Sequence, residues 1–165
     1  MTTNGCNTRI GIGYDVHKLV PNRELIIGTI TIKNKLGALG FSDADVLIHA
    51  IADALLGAAA LGDIGQHFPD TDIKNKGLSG TILLSKVVEL LKNANFIIVN
   101  VDSVVILQSP KIADYIPKMR VNIADILHID ISKVSVKATT TERLGFIGKS
   151  EGIAAEAVVQ IASEG

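Results

Sequence analysis

Residues 40–72, GFSDADVLIHAIADALLGAAALGDIGQHFPDTD, decide how the chain is put together, because they write a helix whose apolar side is crossed by acids and one histidine. Asp45, His49 and Asp53 recur at every fourth position, so on a helix they stand on one face in successive turns. Leu47, Ile51, Ala54, Leu55 and Ala58 form the packing side. From Asp43 to Phe68 no lysine or arginine offsets Asp43, Asp45, Asp53 and Asp63, whereas a solvated helix face usually mixes lysine with glutamate. Two readings stand. A cation neutralises the stripe, or Ser42 or Asp43 caps the helix, His49 is a partnered core histidine and the aspartates fill helix and turn positions.

Working outward, the helix is expected from Asp43 or Ala44 to Leu61, closed by Gly62 and Gly65. Upstream, residues 9–16 read as a strand in which Gly11 and Gly13 let another backbone or a ligand come close, and residues 24–32 read as its neighbour. Downstream, residues 62–77 form a long loop dense in Asp, Gly and Pro, a kind that is often functional. A helix over 79–95, a strand over 96–108 and a helix over 110–128 follow, the last opened by Pro110 and disturbed near its start by Pro117. Strands over 133–138 and 152–162 complete the order ββααβαββ. That order indicates an α+β fold, a mixed β-sheet with helices packed on one face, in a single domain over 1–165 with residues 1–8 disordered.

At 165 residues the chain suits one domain, which buries roughly 70% of its unfolded surface. Hydrophobic content is 47%, yet Asn100 and Asp102 break the longest apolar run, so no membrane span is expected. An apolar-rich chain with only 4% aromatics points to extra hydrophobic surface hidden in a homo-oligomer. A net charge of -1 without a basic stripe argues against nucleic acid as a partner. The lone Cys6 and an amino terminus without a charged start or apolar core make a reducing, cytoplasmic location the expectation.

Two constellations carry chemistry. Asp15 and His17 stand two apart on a strand and so share a side, and His49 can join them from the helix. Two histidines and a carboxylate suit tetrahedral Zn²⁺ with a fourth position open to substrate, although Asp-x-His alone is a weak signal. Thr139, Thr140, Thr141 and Glu142 follow directly on a strand, where hydroxyls and backbone N–H groups can hold phosphate oxygens. Glu142 beside such phosphates suits Mg²⁺. Thr139 and Glu142 equally match a helix capping box.

Taken in order, G-Y-D-V-H at 13–17, F-S-D-A-D-V-x-x-H at 41–49, L-G-D-I-G-x-x-F-P-D-T-D at 61–72, Q-S-P-K at 108–111 and K-A-T-T-T-E-x-L-G-F-x-G-x-x-E-G-I at 137–153 resemble the 2-C-methyl-D-erythritol 2,4-cyclodiphosphate synthase family. The likeness covers nearly the whole chain, from Arg9 to about Ile161. It implies a homotrimer with active sites between subunits, in the non-mevalonate route to isoprenoids. The substrate is a cytidine diphosphate derivative, 4-diphosphocytidyl-2-C-methyl-D-erythritol 2-phosphate, which is closed to the cyclodiphosphate with release of CMP.

On matching positions the resemblance assigns Zn²⁺, or another divalent transition metal, to Asp15, His17 and His49, and Mg²⁺ or Mn²⁺ to Glu142. Thr140 and Ser42 are catalytic by the same match, Asp63, Ile64, Gly65, Phe68, Pro69, Asp70, Thr71 and Asp72 receive the methylerythritol part, and Phe146 and Lys149 are further substrate-binding residues, Lys149 as a phosphate contact. Leu107, Gln108, Ser109, Pro110, Lys111, Ile112 and Ala113, with Thr139, Thr140 and Thr141, form the cytidine pocket. Asp45 and Asp53 are expected behind the metal, Asp53 orienting a ligating imidazole. Two positions depart from the family: Phe41 stands where a histidine that stabilises the transition state is usual, and Lys149 where many members carry arginine. The alternatives are a zinc-dependent hydrolase, which needs a general base and no cytidine pocket, and a non-catalytic nucleotide or metal-binding module, indifferent to Thr140 and Glu142.

Overall fold

In the computed structural model, which describes residues 7–164, the first strand β1 (Thr8–Pro21) is far longer than the expected 9–16. It reaches beyond Val16 because a strand unseen in the sequence, β4 (Leu36–Leu39), pairs with its last turn of chain from Lys18 to Pro21. Residues 24–32 form a hairpin instead of one strand, β2 (Leu25–Ile27) and β3 (Ile30–Ile32), because Gly28 and Thr29 take left-handed backbone with φ of 57° and 66°. Their N–H groups donate to the Asp45 carboxylate at 2.9 and 2.6 Å. The same carboxylate caps α1 (Val46–Ala58) by accepting from Ile48 N–H, so the helix starts later than expected. Ala60, at φ 59°, turns the chain before Gly62 is reached.

After α1 the long loop holds one helical turn, α2 (Ile64–His67), and a 3₁₀ turn (Ile73–Asn75). Then come α3 (Gly80–Asn93), β5 (Phe96–Ile106), α4 (Ile116–Leu127), β6 (Val134–Thr139), the short α5 (Gly145–Gly148) and β7 (Gly152–Ser163). The third long helix therefore opens at Ile116 with Pro117 as its first-turn proline, and Pro110 stays in the preceding loop. The five-stranded sheet has the order β4-β1-β7-β5-β6, antiparallel except for the β5–β6 pair. Thr8 already pairs with Ala162, so the expected disorder does not extend to it; residues 1–6, with Cys6, lie outside the described chain.

α1, α3 and α4 cover one face of the sheet, an α+β arrangement. A Cβ on Gly11 would lie 1.9 Å from the Ala54 carbonyl oxygen, and one on Gly13 2.0 Å from that of Ala50. The alanine side of α1 thus rests on bare strand backbone, closer than any side chain permits. This contact fixes which residues of α1 meet the end of β1. On the opposite face Ile10 and Ile12 are each 73% exposed, with Tyr14, Val16 and Val158 beside them. Among the described residues no helix is long and apolar enough to cross a membrane.

Candidate metal centre and active site

Because α1 lies directly on β1, His49 projects onto the odd-numbered side of the strand, where Asp15 and His17 stand. The Asp15 carboxylate oxygen Oδ2 is 2.9 Å from His17 Nε2 and 2.9 Å from His49 Nδ1, and the two ring nitrogens are 3.2 Å apart. All three atoms lie within 4.8 Å of one another. Burial would raise the Asp15 pKa, but hydrogen bonds from His17 and His49 outweigh it and hold the carboxyl well below its usual range. Burial likewise pulls His49 down, and its bond to Asp15 overrides that and raises it.

The donor set suits a divalent transition ion. Two imidazoles and a carboxylate aim single donor atoms at one point, and the far nitrogens are anchored elsewhere. His17 Nδ1 sits 3.0 Å from the Leu39 carbonyl oxygen. A carbonyl only accepts, so Nδ1 keeps a ring proton, and once Nε2 gives up the proton it shares with Asp15 its lone pair would face the cluster. His49 Nε2 sits 3.2 Å from Ser42 Oγ. The sequence offered no sign of Leu39, since its contribution is a backbone carbonyl that any residue supplies.

Beside the trio opens a cavity of about 180 Å³, walled by Phe41, Ser42, Ile64, Phe68, Asp70 and Asn75 among others. Asn75 was not anticipated; its side-chain amide donates to the Pro69 carbonyl at 2.9 Å and fastens the loop. Pro69 and Asp72 turn instead toward a separate cavity shared with Lys86 and Glu89, and the Asp72 carboxylate is occupied by Lys74 N–H at 3.0 Å. Asp63 caps α2 through Gln66 N–H at 2.9 Å. Gly65 and Thr71 are exposed on this loop, and Ile64 lines the cavity from α2.

The two aspartates expected behind the metal do other work. Asp53 accepts from Ile64 N–H at 2.8 Å and so pins the loop, because from one turn further along α1 it faces the loop rather than the imidazole. Burial raises its pKa, opposed by that N–H. Asp45 is fully buried and serves the hairpin and the helix start; burial pushes it up to about 6 against the pull of the N–H groups of Thr29, Gly28 and Ile48. Neither carboxylate hydrogen-bonds the His49 ring, whose partners are Asp15, His17 and Ser42.

A third cavity, of about 160 Å³, is walled by Leu107, Gln108, Pro110, Lys111, Ile112, Thr139 and Thr140, with Ala138. Ser109 and Ala113 are part of the same loop without lining it. Thr140 Oγ1 donates to Glu142 Oε1 at 3.1 Å and accepts from Glu142 N–H at 3.2 Å, while Thr141 Oγ1 donates to the Leu144 carbonyl. The capping-box reading of Thr139 and Glu142 fails because Glu142 and Arg143 are left-handed, at φ 50° and 65°, and no helix begins there. Gln108 Oε1 accepts from Arg143 N–H at 3.1 Å and ties this turn to the neighbouring loop. Phe146 lies over Gly152, where a Cβ would meet its ring at 2.8 Å, and Lys149 is exposed at the end of α5.

The cavity beside the trio and the one at the threonine turn belong to the same end of the sheet but not to the same place. Asp15 pairs with Ala155, Ala155 with Val105 and Val105 with Ala138, so three strand spacings, about 14 Å, part the trio from the threonine turn.

A model of the YgbB family matches residues 8–162. A 2-C-methyl-D-erythritol 2,4-cyclodiphosphate synthase of Lachnospira eligens is 58% identical over 155 residues, covering 94% of this chain and 85% of its own. The structure of the bifunctional IspDF from Campylobacter jejuni superposes with a TM-score of 0.93 at 42% identity, over 96% of this chain and 43% of that longer one. A Plasmodium falciparum IspF structure in complex with CDP gives 0.85 at 37% identity, over 96% of this chain and 98% of that one.

Proposed function

The chain belongs to the YgbB family, and from that membership we infer that it is a 2-C-methyl-D-erythritol 2,4-cyclodiphosphate synthase, a lyase of the non-mevalonate isoprenoid route. It converts 4-diphosphocytidyl-2-C-methyl-D-erythritol 2-phosphate to the cyclic diphosphate. An oxygen of the 2-phosphate bonds to the β-phosphorus, the β-phosphorus bond to the bridging oxygen breaks, and CMP departs with that oxygen.

The nucleophile and the leaving group are both in the substrate, so the chain's task is to fold one molecule back on itself and to balance phosphate charge. The observation that carries this reading is the convergence of Asp15, His17 and His49 at the mouth of an apolar-walled cavity. Those three residues are proposed to hold a divalent transition ion, Zn²⁺ among the candidates. Such an ion, when bound, polarises phosphoryl oxygens as a Lewis acid. Glu142 is proposed to help hold Mg²⁺ or Mn²⁺; a lone exposed carboxylate suits an ion that takes its other ligands from water and phosphate. Thr140 presents its hydroxyl beside that carboxylate, and the loop of Gln108, Pro110 and Lys111 takes the cytidine, partly through backbone N–H and C=O groups.

A homotrimer with shared active sites is the assembly proposed. Two observations support it: the apolar sheet face around Ile10, Ile12 and Tyr14 left uncovered by helices, and the separation of the trio from the nucleotide loop across the sheet. A cleft that joins one subunit's trio to a neighbour's nucleotide loop reconciles them. The test is CMP release from the intact diphosphocytidyl substrate, abolished by EDTA and restored by Zn²⁺ with Mg²⁺. If the pyrophosphate linkage survives with both ions present, or if replacing His17 and His49 together by alanine leaves the rate unchanged, the reading is wrong.

A further inference from the structure

We propose that Ser42 is a positioning residue for the metal centre: its Oγ accepts the ring proton of His49 at Nε2 and thereby holds the Nδ1 lone pair on the ion. The inference rests on the reading that Asp15, His17 and His49 bind a divalent metal. His49 Nδ1 is the atom 2.9 Å from Asp15 Oδ2 and 3.2 Å from His17 Nε2, so it is the donor atom of this ring. A neutral imidazole that ligates through Nδ1 must carry its proton on Nε2. That nitrogen lies 3.2 Å from Ser42 Oγ.

Among the described residues, Ser42 Oγ is the one hydrogen-bond partner of His49 Nε2. Phe41, Phe68, Leu78 and Leu83 of the same cavity wall offer no side-chain acceptor, and Asp70 and Asn75, which also line it, make no hydrogen bond to the ring. Ser42 is itself held in place. The Ala44 N–H donates to Ser42 Oγ at 3.2 Å while Ala44, fully buried, takes left-handed backbone at φ 57°. A Cβ on Gly40 would lie 2.9 Å from that of Ala44 and 3.2 Å from His17 Cε1, so the turn is packed against the other imidazole as well. With two N–H groups donating to its oxygen, the Ser42 O–H is left to point into the cavity. His17 is arranged in the opposite sense, its Nδ1 anchored on the Leu39 carbonyl and its Nε2 turned to the ion. The two imidazoles therefore present different nitrogens, and each is fixed by its own outer partner.

The experiment measures metal binding without substrate, which a role confined to touching substrate would not alter. Full-length wild type, Ser42→Ala and Ser42→Thr are stripped of metal and titrated with Zn²⁺ against a chromophoric chelator, and with Co²⁺ by its d–d absorption. The alanine variant is expected to bind 10- to 100-fold more weakly with a changed Co²⁺ spectrum, and threonine to restore both to within about threefold of wild type. Equal affinity and spectrum for alanine and wild type overturn the proposal. Wild type that binds neither ion overturns the metal reading, and this inference with it. Should Ser42→Ala lose its helical circular dichroism, long-range ¹H–¹⁵N correlation on Zn²⁺-loaded wild type decides. A protonated, exchange-protected Nε2 on His49 supports the proposal, and an unprotonated or rapidly exchanging one refutes it.

Discussion

Single side chains at the site divide by what they touch. Phe41 stands in the cavity wall, 40% exposed, with a ring that cannot donate to a phosphate and a backbone carbonyl that accepts from Gly77 N–H. Restoring a donor with Phe41→His is expected to leave the rate of CMP release at least unimpaired; a large fall would mean that the loop is built around the ring. Asp53 makes a different case. Among the described residues its one side-chain hydrogen bond is accepted from Ile64 N–H, so Asp53→Ala leaves that amide without its partner, at a cost of about 1–3 kcal/mol to the closed loop. KM should rise several-fold with zinc content unchanged. Loss of zinc from this variant would return Asp53 to the metal centre.

At the scale of elements, the start of α1 is where helix, hairpin and strand are tied together. Asp45 serves three N–H donors from two elements, and Asp43 Oδ2 accepts from Gly80 N–H at 2.6 Å, fastening the start of α3 to the same turn. Burial makes the Asp45 carboxyl bind its proton more tightly when folded, up to about 6 against an ordinary 3.8. The stability this contributes is complete below about pH 4 and is lost as pH rises through about 6. The interval corresponds to about 3 kcal/mol. Urea melts of metal-free protein at one fixed concentration should therefore show the advantage of wild type over Asp45→Asn shrinking by that order between pH 4 and 7. A difference flat with pH would show that the carboxyl titrates at its ordinary value.

For the whole molecule, the sheet offers one face to its own helices and carries on the other an exposed apolar patch of Ile10, Ile12, Tyr14, Val16 and Val158, bordered by Glu156 and the Lys137–Asp102 ion pair. Ile12, at the middle of the bare face, pairs with Val158 on the adjacent strand, so a charge there falls inside any interface that covers the sheet. Ile12→Glu is expected to yield monomers by sedimentation velocity with the circular dichroism of wild type, and to abolish CMP release. A monomeric variant that keeps full activity would refute sites shared between subunits.

What could be read from the chain alone was whatever depends on local spacing. The period of α1, the shared side of Asp15 and His17, the glycines that admit a backbone and the threonine turn all follow from three or four neighbouring residues. Boundaries and pairings did not. β4 is four residues long and exists only because β1 continues past Val16 to meet it, and residues 24–32 bend into a hairpin because a carboxylate 16 or 17 positions away collects the turn's amides. The roles of Asp53 and Asp45 were decided in the same way. A helix phase sets the direction in which a side chain points, but the partner it reaches depends on what the rest of the chain has packed there. Only the folded chain could therefore put Leu39 and Ser42 behind the two histidines.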